Sequence, residues 1–201
     1  MKKILSAALL TLCASAIHGQ SYKVIGGDCE TCEQLFQGKP ASLTNSFQVA
    51  TSSEPGERLH VTGRVLQADG KTPAANVVIY IYHTDNKGYY SPASGQKDAL
   101  RHGHLRGWIK TDQTGTYAFH TIKPAPYPNS NNPAHIHPIV YEPDGSLYWI
   151  DEYLFEGDPF LTNKIRADQS GRGGSGIISL VKNASGEWEG RRDIILRKLV
   201  K

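Results

Sequence analysis

The sequence predicts an all-β fold: one sandwich of short strands with long loops and little helix. Three observations carry this. Apolar and polar residues alternate with a period of two over several short stretches. Turn signals such as Asp-Gly, Asn-Lys-Gly and Pro-Asp-Gly separate those stretches. Helical periodicity is nearly absent and no internal repeat is visible, which favours a sandwich or barrel. At 201 residues the chain suits one domain of ordinary size preceded by a leader. Its net charge of +3 is too small to argue for nucleic acid. The basic residues around Arg191, Arg192, Arg197 and Lys198 alternate with apolar ones, as on a solvated strand face.

Residues 1–19 read as a secretory signal peptide. Lys2 and Lys3 form its basic start, Ile4 to Ala16 an apolar stretch too short to span a bilayer, and small residues follow, with cleavage near Gly19–Gln20. Cys13 raises the question of a lipoprotein, but Leu12 stands where such a signal wants a small residue. The expectation is an exported protein, periplasmic or secreted, without a membrane span.

Residues 20–56 form an arm with little periodicity; Cys29 to Phe36 suits one or two helical turns. After cleavage Cys29 and Cys32 are the remaining cysteines, and in an oxidising compartment they are expected to close a local disulfide. A thioredoxin-like role would want a βαβ context, and a metal knuckle a second ligand pair; neither is present.

Residues 57–201 form the main domain. Leu59, Val61 and Val65 alternate with polar residues, and Val77 to Tyr82 is a continuous apolar run typical of a buried strand. Ser91 to Gly107 is a long polar loop of the kind that is often functional. Further strands are expected at Trp108–Thr111, around Tyr117, Phe119 and Thr121, and at Ala134–Tyr141, Leu147–Phe155, Ile177–Val181 and Arg191–Val200. Gly157 to Gly176 reads mostly as loop. Its glycine-rich end lacks the Lys-Ser/Thr and the helix that a phosphate cradle needs.

The chemistry gathers between Lys123 and His137. A proline-stiffened loop delivers Tyr127, and a short extended segment delivers His135 and His137. Residues two apart on a strand share a face, so both imidazoles would aim at one point with Ile136 aimed at the core. Paired imidazoles on one face begin a transition-metal site or are simply surface histidines. Tyrosine is a rare ligand, because a phenol with pKa of about 10 needs a strong Lewis acid such as ferric iron to stay ionised.

Four segments then stand in a telling order: Tyr82-His-Thr-Asp-Asn-Lys-Gly-Tyr-Tyr90, Thr111 to Pro128, Pro133-Ala-His-Ile-His137 and Phe155-Glu-Gly-Asp158. From about Leu59 to Asp158 the chain resembles the intradiol ring-cleavage dioxygenases, the protocatechuate and catechol dioxygenases. The resemblance implies Fe(III) held by Tyr90, Tyr127, His135 and His137. Tyr89 is the decoy for Tyr90, separated from it by the Gly-x-Tyr spacing alone, and Tyr117 looks like a packing residue. It further implies a catechol-like substrate bound through both oxygens, Tyr127 as the ligand it displaces and the group that accepts its proton, and O2 as the second substrate. The ring opens between the two hydroxylated carbons to a muconate-type diacid. A homo-oligomer is compatible with it.

Two positions depart from the family pattern. Asn132 stands where the family usually has an arginine, and Glu152 where it has a glutamine. Losing a cation and gaining a carboxylate beside developing negative charge weakens catalysis, by a few kcal/mol in order of magnitude. Arg101 or Arg106 is a candidate replacement cation, and Glu152 a candidate base. Two other readings stand beside the enzyme. One is a non-catalytic transthyretin-like or carboxypeptidase-regulatory-like binding module, which Val61–Gly70 and Thr111–Phe119 also suit. The other is a zinc or copper site that joins His102 and His104 to His135 and His137.

Overall fold

The structure is a computed structural model that describes residues 22–97 and 100–199. The signal-peptide and Cys13 readings lie outside the described residues. Thirteen strands are described: β1 (Lys23–Val24), β2 (Ser46–Gln48), β3 (Arg58–Leu66), β4 (Val78–Tyr82), β5 (Arg106–Lys110), β6 (Thr116–Ile122), β7 (His135–Tyr141), β8 (Ser146–Trp149), β9 (Tyr153–Phe155), β10 (Ile177–Ile178), β11 (Leu180–Lys182), β12 (Trp188–Arg191) and β13 (Ile194–Ile195). They form two mixed sheets. One runs β1-β8-β7-β4-β5, with β9 on β7 and β10 on β9. The other runs β11-β12-β3-β6-β2, with β13 on β3.

The strand patterns dictate the layers. On β3 and β6, Leu59, Val61, Val65, Tyr117 and Phe119 are buried at alternate positions and meet Ile79, Ile81, Ile136 and Val140 of the facing sheet. The run Val77–Tyr82 is continuous because β4 is covered on both faces. Ile79 and Ile81 enter the inter-sheet core, while Val78 and Tyr80 face outward beneath Cys32 and Leu35. Nε1 of Trp108 donates to the Leu35 carbonyl at 2.6 Å and ties that cover down. The cover is a 310 helix, Cys32–Phe36, that begins inside the Cys29–Cys32 disulfide.

Several elements differ from the sequence expectation. The arm is not all loop: β1 pairs in parallel with β8 and β2 in parallel with β6. Strands of two or three residues carry too little alternation to register as periodicity. Leu147–Phe155 breaks into β8 and β9, because the buried Asp151 at the break accepts from Ser170 Oγ and Gly171 N–H instead of continuing the ladder. Of the expected strand Arg191–Val200, the described residues hold the last residue of β12, which begins earlier at Trp188, and β13; both pair in parallel with β3. The loop Gly157–Gly176 holds a short helix, α1 (Asn163–Asp168), capped by the Thr162 hydroxyl, which accepts from Ile165 N–H at 3.2 Å.

Candidate functional site

Strand β7 positions the two histidines. It pairs with β4 through Tyr82↔His137 and with β9 through His135↔Leu154. Ile136 is fully buried in the inter-sheet core, so His135 and His137 share the opposite face. His135 donates from Nδ1 to the Pro133 carbonyl at 2.7 Å, which leaves an Nε2 lone pair facing outward. His137 stacks on Tyr82 at 4.6 Å between ring centroids, and Tyr82 stacks in turn on His102 at 3.6 Å. Asp158, in the loop after β9, accepts from Ala134 N–H at 3.1 Å and Phe160 N–H at 2.8 Å. The Phe-Glu-Gly-Asp stretch thereby anchors the start of β7.

The tyrosines come from two loops stitched together. Asp85 accepts from Lys87 N–H, Tyr89 N–H and Ser91 Oγ and so sets the turn that presents Tyr90. Burial opposes ionisation of Asp85, but these donors hold its carboxyl below the ordinary range. Thr84 Oγ1 donates to the Ala125 carbonyl at 2.7 Å, and Ala125 N–H donates to the Asp85 carbonyl at 3.1 Å. Gly88 completes the join. Its φ is +86°, and a Cβ there would lie 2.1 Å from the Pro126 carbonyl oxygen. The Gly-x-Tyr spacing is thus a contact requirement: only glycine lets the Tyr90 loop close on the residue before Tyr127.

Four donor atoms converge. The hydroxyls of Tyr90 and Tyr127 are 2.7 Å apart. His135 Nε2 lies 3.1 Å from the Tyr127 hydroxyl and 3.0 Å from His137 Nε2, which lies 3.4 Å from the Tyr127 hydroxyl. Ligands about 2 Å from one ion sit at about this mutual spacing. Burial, with His135 alongside, pushes His137 well below the ordinary imidazole range and keeps it neutral, the ligating form. Burial, aided by the neighbouring phenol, pushes Tyr90 up, and burial also raises Tyr127. The carboxylate of Glu152 adds to both shifts. Two phenols that resist ionisation, beside the neutral His137 and the outward-facing Nε2 of His135, fit a strongly Lewis-acidic cation.

A cavity of about 270 Å3 opens on Tyr127, His135 and His137 and is also lined by Asn132, Glu152 and Gln169. Glu152 Oε1 lies 3.7 Å from His137 Nδ1. Asn132 is exposed on the rim. Tyr89 is 56% exposed and points away, as the spacing implied. Tyr117 is buried and donates to the Arg192 carbonyl, a packing role.

Two alternatives that the sequence left open are not realised. His102 and His104 do not join the other histidines. His102 bonds Tyr80 and Thr31 through its two nitrogens, and His104 bonds the Ser91 carbonyl and Glu54. Nor does Arg101 or Arg106 replace the missing cation. Arg101 pairs with Glu30, and Arg106 lies over the Trp108 ring at 5.4 Å. The supporting roles of Thr84, Asp85 and Asp158 do not follow from the sequence. An Asx turn at Asp85 is their one local signal, and the other partners lie far along the chain.

Comparison with known proteins agrees with this construction. Residues 35–174 match a family model described as Dioxygenase, and the chain belongs to the intradiol dioxygenase family. Chlorocatechol 1,2-dioxygenase of Rhodococcus opacus is 36% identical over 145 residues, 63% of this chain and 52% of that protein. Protocatechuate 3,4-dioxygenase beta chain of Burkholderia cepacia is 36% identical over 118 residues, 55% and 50% respectively. The chain therefore spans about half the length of these curated relatives. Among solved structures, the dioxygenase domain of a dioxygenase–carbohydrate-binding protein fusion from Streptomyces sp. SirexAA-E is similar in fold. Its TM-score is 0.60 at 24% identity, covering 78% of this chain and 90% of that one.

Proposed function

We propose that this protein is a ferric intradiol dioxygenase that inserts both atoms of O2 into a catechol-type aromatic and opens the ring between the two hydroxylated carbons. The observation that carries the reading is that the Tyr127 oxygen lies within 2.7–3.4 Å of the Tyr90 oxygen and of Nε2 of both His135 and His137, which are themselves 3.0 Å apart. Tyr90, Tyr127, His135 and His137 would hold Fe(III). Bound there, the ion would supply the Lewis acidity that keeps the phenols ionised and makes a catechol ring reactive towards O2.

The chain's own residues do the rest. Tyr127 lines the cleft whereas Tyr90 does not, so Tyr127 is the phenol placed to yield its position and take the proton of a substrate hydroxyl. Tyr90, presented by the Asp85 turn and absent from the cleft lining, would stay in place. Glu152, on the cleft wall, is the second group able to accept a substrate proton. Asn132, on the rim, offers an amide in place of a cation. Leu154 and Ile165 exclude water from one wall of the cleft.

The test is optical and gasometric. Iron-loaded protein is expected to be reddish from tyrosinate-to-iron charge transfer, with a band that weakens in Tyr127→Phe and shifts on adding catechol; oxygen uptake should accompany ring opening. A colourless protein after reconstitution would sink this reading in favour of a non-catalytic β-sandwich module. The reading includes export, which mass analysis of the mature N-terminus would check. No helix among the described residues is long and apolar enough to cross a membrane.

A further inference from the structure

The cleft has an uneven charge. Apart from the histidines, Glu152 is the charged side chain that lines it; Asn132 and Gln169 contribute neutral amides. A second cavity of about 240 Å3 adjoins it through His137 and Glu152 and adds Asp28 and Glu30. Among the described residues, neither cavity is lined by lysine or arginine. The basic groups nearby are committed elsewhere. On α1, Arg166 pairs with Glu156 and Lys164 with Asp168. Arg172 lies over Trp149 and donates to the carbonyls of Gly26, Trp149 and Leu199. Arg101 neutralises part of the outer cavity by pairing with Glu30, which leaves Glu152, on the wall common to both cavities, and Asp28 in the outer one as the charges a substituent meets, both of them negative.

We propose that this cleft selects catechols that carry an alkylammonium substituent and disfavours those that carry a carboxylate. The proposal rests on the catechol-dioxygenase reading above. It follows from the same two positions that depart from the family pattern. With Asn132 and Glu152 the cleft presents a carboxylate without a compensating cation. An ammonium group reaching Glu152 gains a charge-assisted hydrogen bond, whereas a carboxylate there meets like charge in a partly desolvated site. Glu152 is 40% exposed at its side chain, so each step is modest, about two- to fivefold in Kd.

The test uses three para-substituted monophenols of similar size, none of them a ring-cleavage substrate: tyramine, para-ethylphenol and para-hydroxyphenylacetate. Their affinities for the iron-loaded protein are measured by calorimetry at low and high salt. Tyramine is expected to bind most tightly and para-hydroxyphenylacetate least, with the spread shrinking at high salt. Glu152→Gln should remove the advantage of tyramine over para-ethylphenol, and Asn132→Arg should reverse the order of the two charged phenols. The proposal is overturned if the anion binds as tightly as the neutral phenol, if Glu152→Gln leaves the ratios unchanged, or if none of the three binds. Oxygen uptake with unsubstituted catechol reports separately on the reaction. Uptake without charge preference removes this inference alone. Charge-ordered binding without uptake from any catechol removes the reaction and leaves the selectivity standing.

Discussion

Nε2 of His135 faces Nε2 of His137 at 3.0 Å, and the first of these has a lone pair to offer because Nδ1 of the same ring donates to the Pro133 carbonyl. Two imidazole nitrogens this close, with two phenols completing the group, have the spacing that the proposed iron site needs. Removal of one imidazole should weaken iron binding by more than the ~10–100-fold that loss of an outer partner costs a metal site. Elemental analysis of His135→Ala after dialysis is expected to show iron largely lost, with circular dichroism unchanged because the side chain lies outside the inter-sheet core. Retention of a full complement of iron would contradict the ligand assignment.

Gly88 joins the two tyrosine loops at a distance no side chain tolerates. Gly88→Ala should cost about 1–3 kcal/mol from overpacking alone, and more from a φ of +86°. The urea midpoint reports that loss. A second measurement separates local from general damage: the charge-transfer band should fall further than in a variant of equal stability made at the far end of β6.

His83 makes stability depend on pH. It is 1% exposed, donates from Nδ1 to the Thr84 carbonyl and accepts from Thr121 Oγ1 at Nε2, and burial pushes it down to about 4 from the ordinary 6.5. The unfolded chain therefore binds this proton more readily than the folded one. Its contribution is intact above pH 6.5, declines as pH falls, and is exhausted near pH 4, a loss of about 3 kcal/mol across that window. Urea unfolding between pH 7 and pH 4 is expected to show this slope, and to lose it in His83→Phe, which has no proton to take up.

The Cys29–Cys32 disulfide steadies the outer cover of the sheet that carries His135 and His137. For so short a loop, replacing both cysteines by serine should cost about 2 kcal/mol. Indole reporters are built in: Trp108 donates to the Leu35 carbonyl and Trp149 to the Asp28 carbonyl. Reduction should shift tryptophan emission to the red while far-ultraviolet dichroism stays near its starting value. An unchanged emission would mean the arm is held without the bridge.

Much of the site is legible in the order of residues alone, for a physical reason. Ligands that share a strand obey a period of two, so His135, Ile136 and His137 declare which atoms face together. The tyrosines are legible through the ordered segments around them, and Gly88 singles out Tyr90 over Tyr89 because a close contact demands glycine there. Thr84, Asp85 and Asp158 are not legible in the same way. Thr84 and Asp158 act on segments tens of residues distant, of which spacing along a chain carries no record; Asp85 acts on its own backbone, and its turn signal does not reveal that the turn presents Tyr90. The same holds for β1 and β2, whose two and three residues gain meaning from the parallel neighbours β8 and β6, far along the chain.

By itself, then, the sequence determined the β class and the family, and through the family resemblance it singled out four candidate donor residues and the two departures at 132 and 152, since all of these are local in type or order. The tertiary structure decided what surrounds them. It assigned His102 and His104 to hydrogen bonds away from the donors, turned Arg101 and Arg106 to other partners, and placed Glu152 on the wall between two cavities. Those outcomes depend on which side chains reach a common point when two sheets and an arm close together, and distance in space is set by packing rather than by separation along the chain.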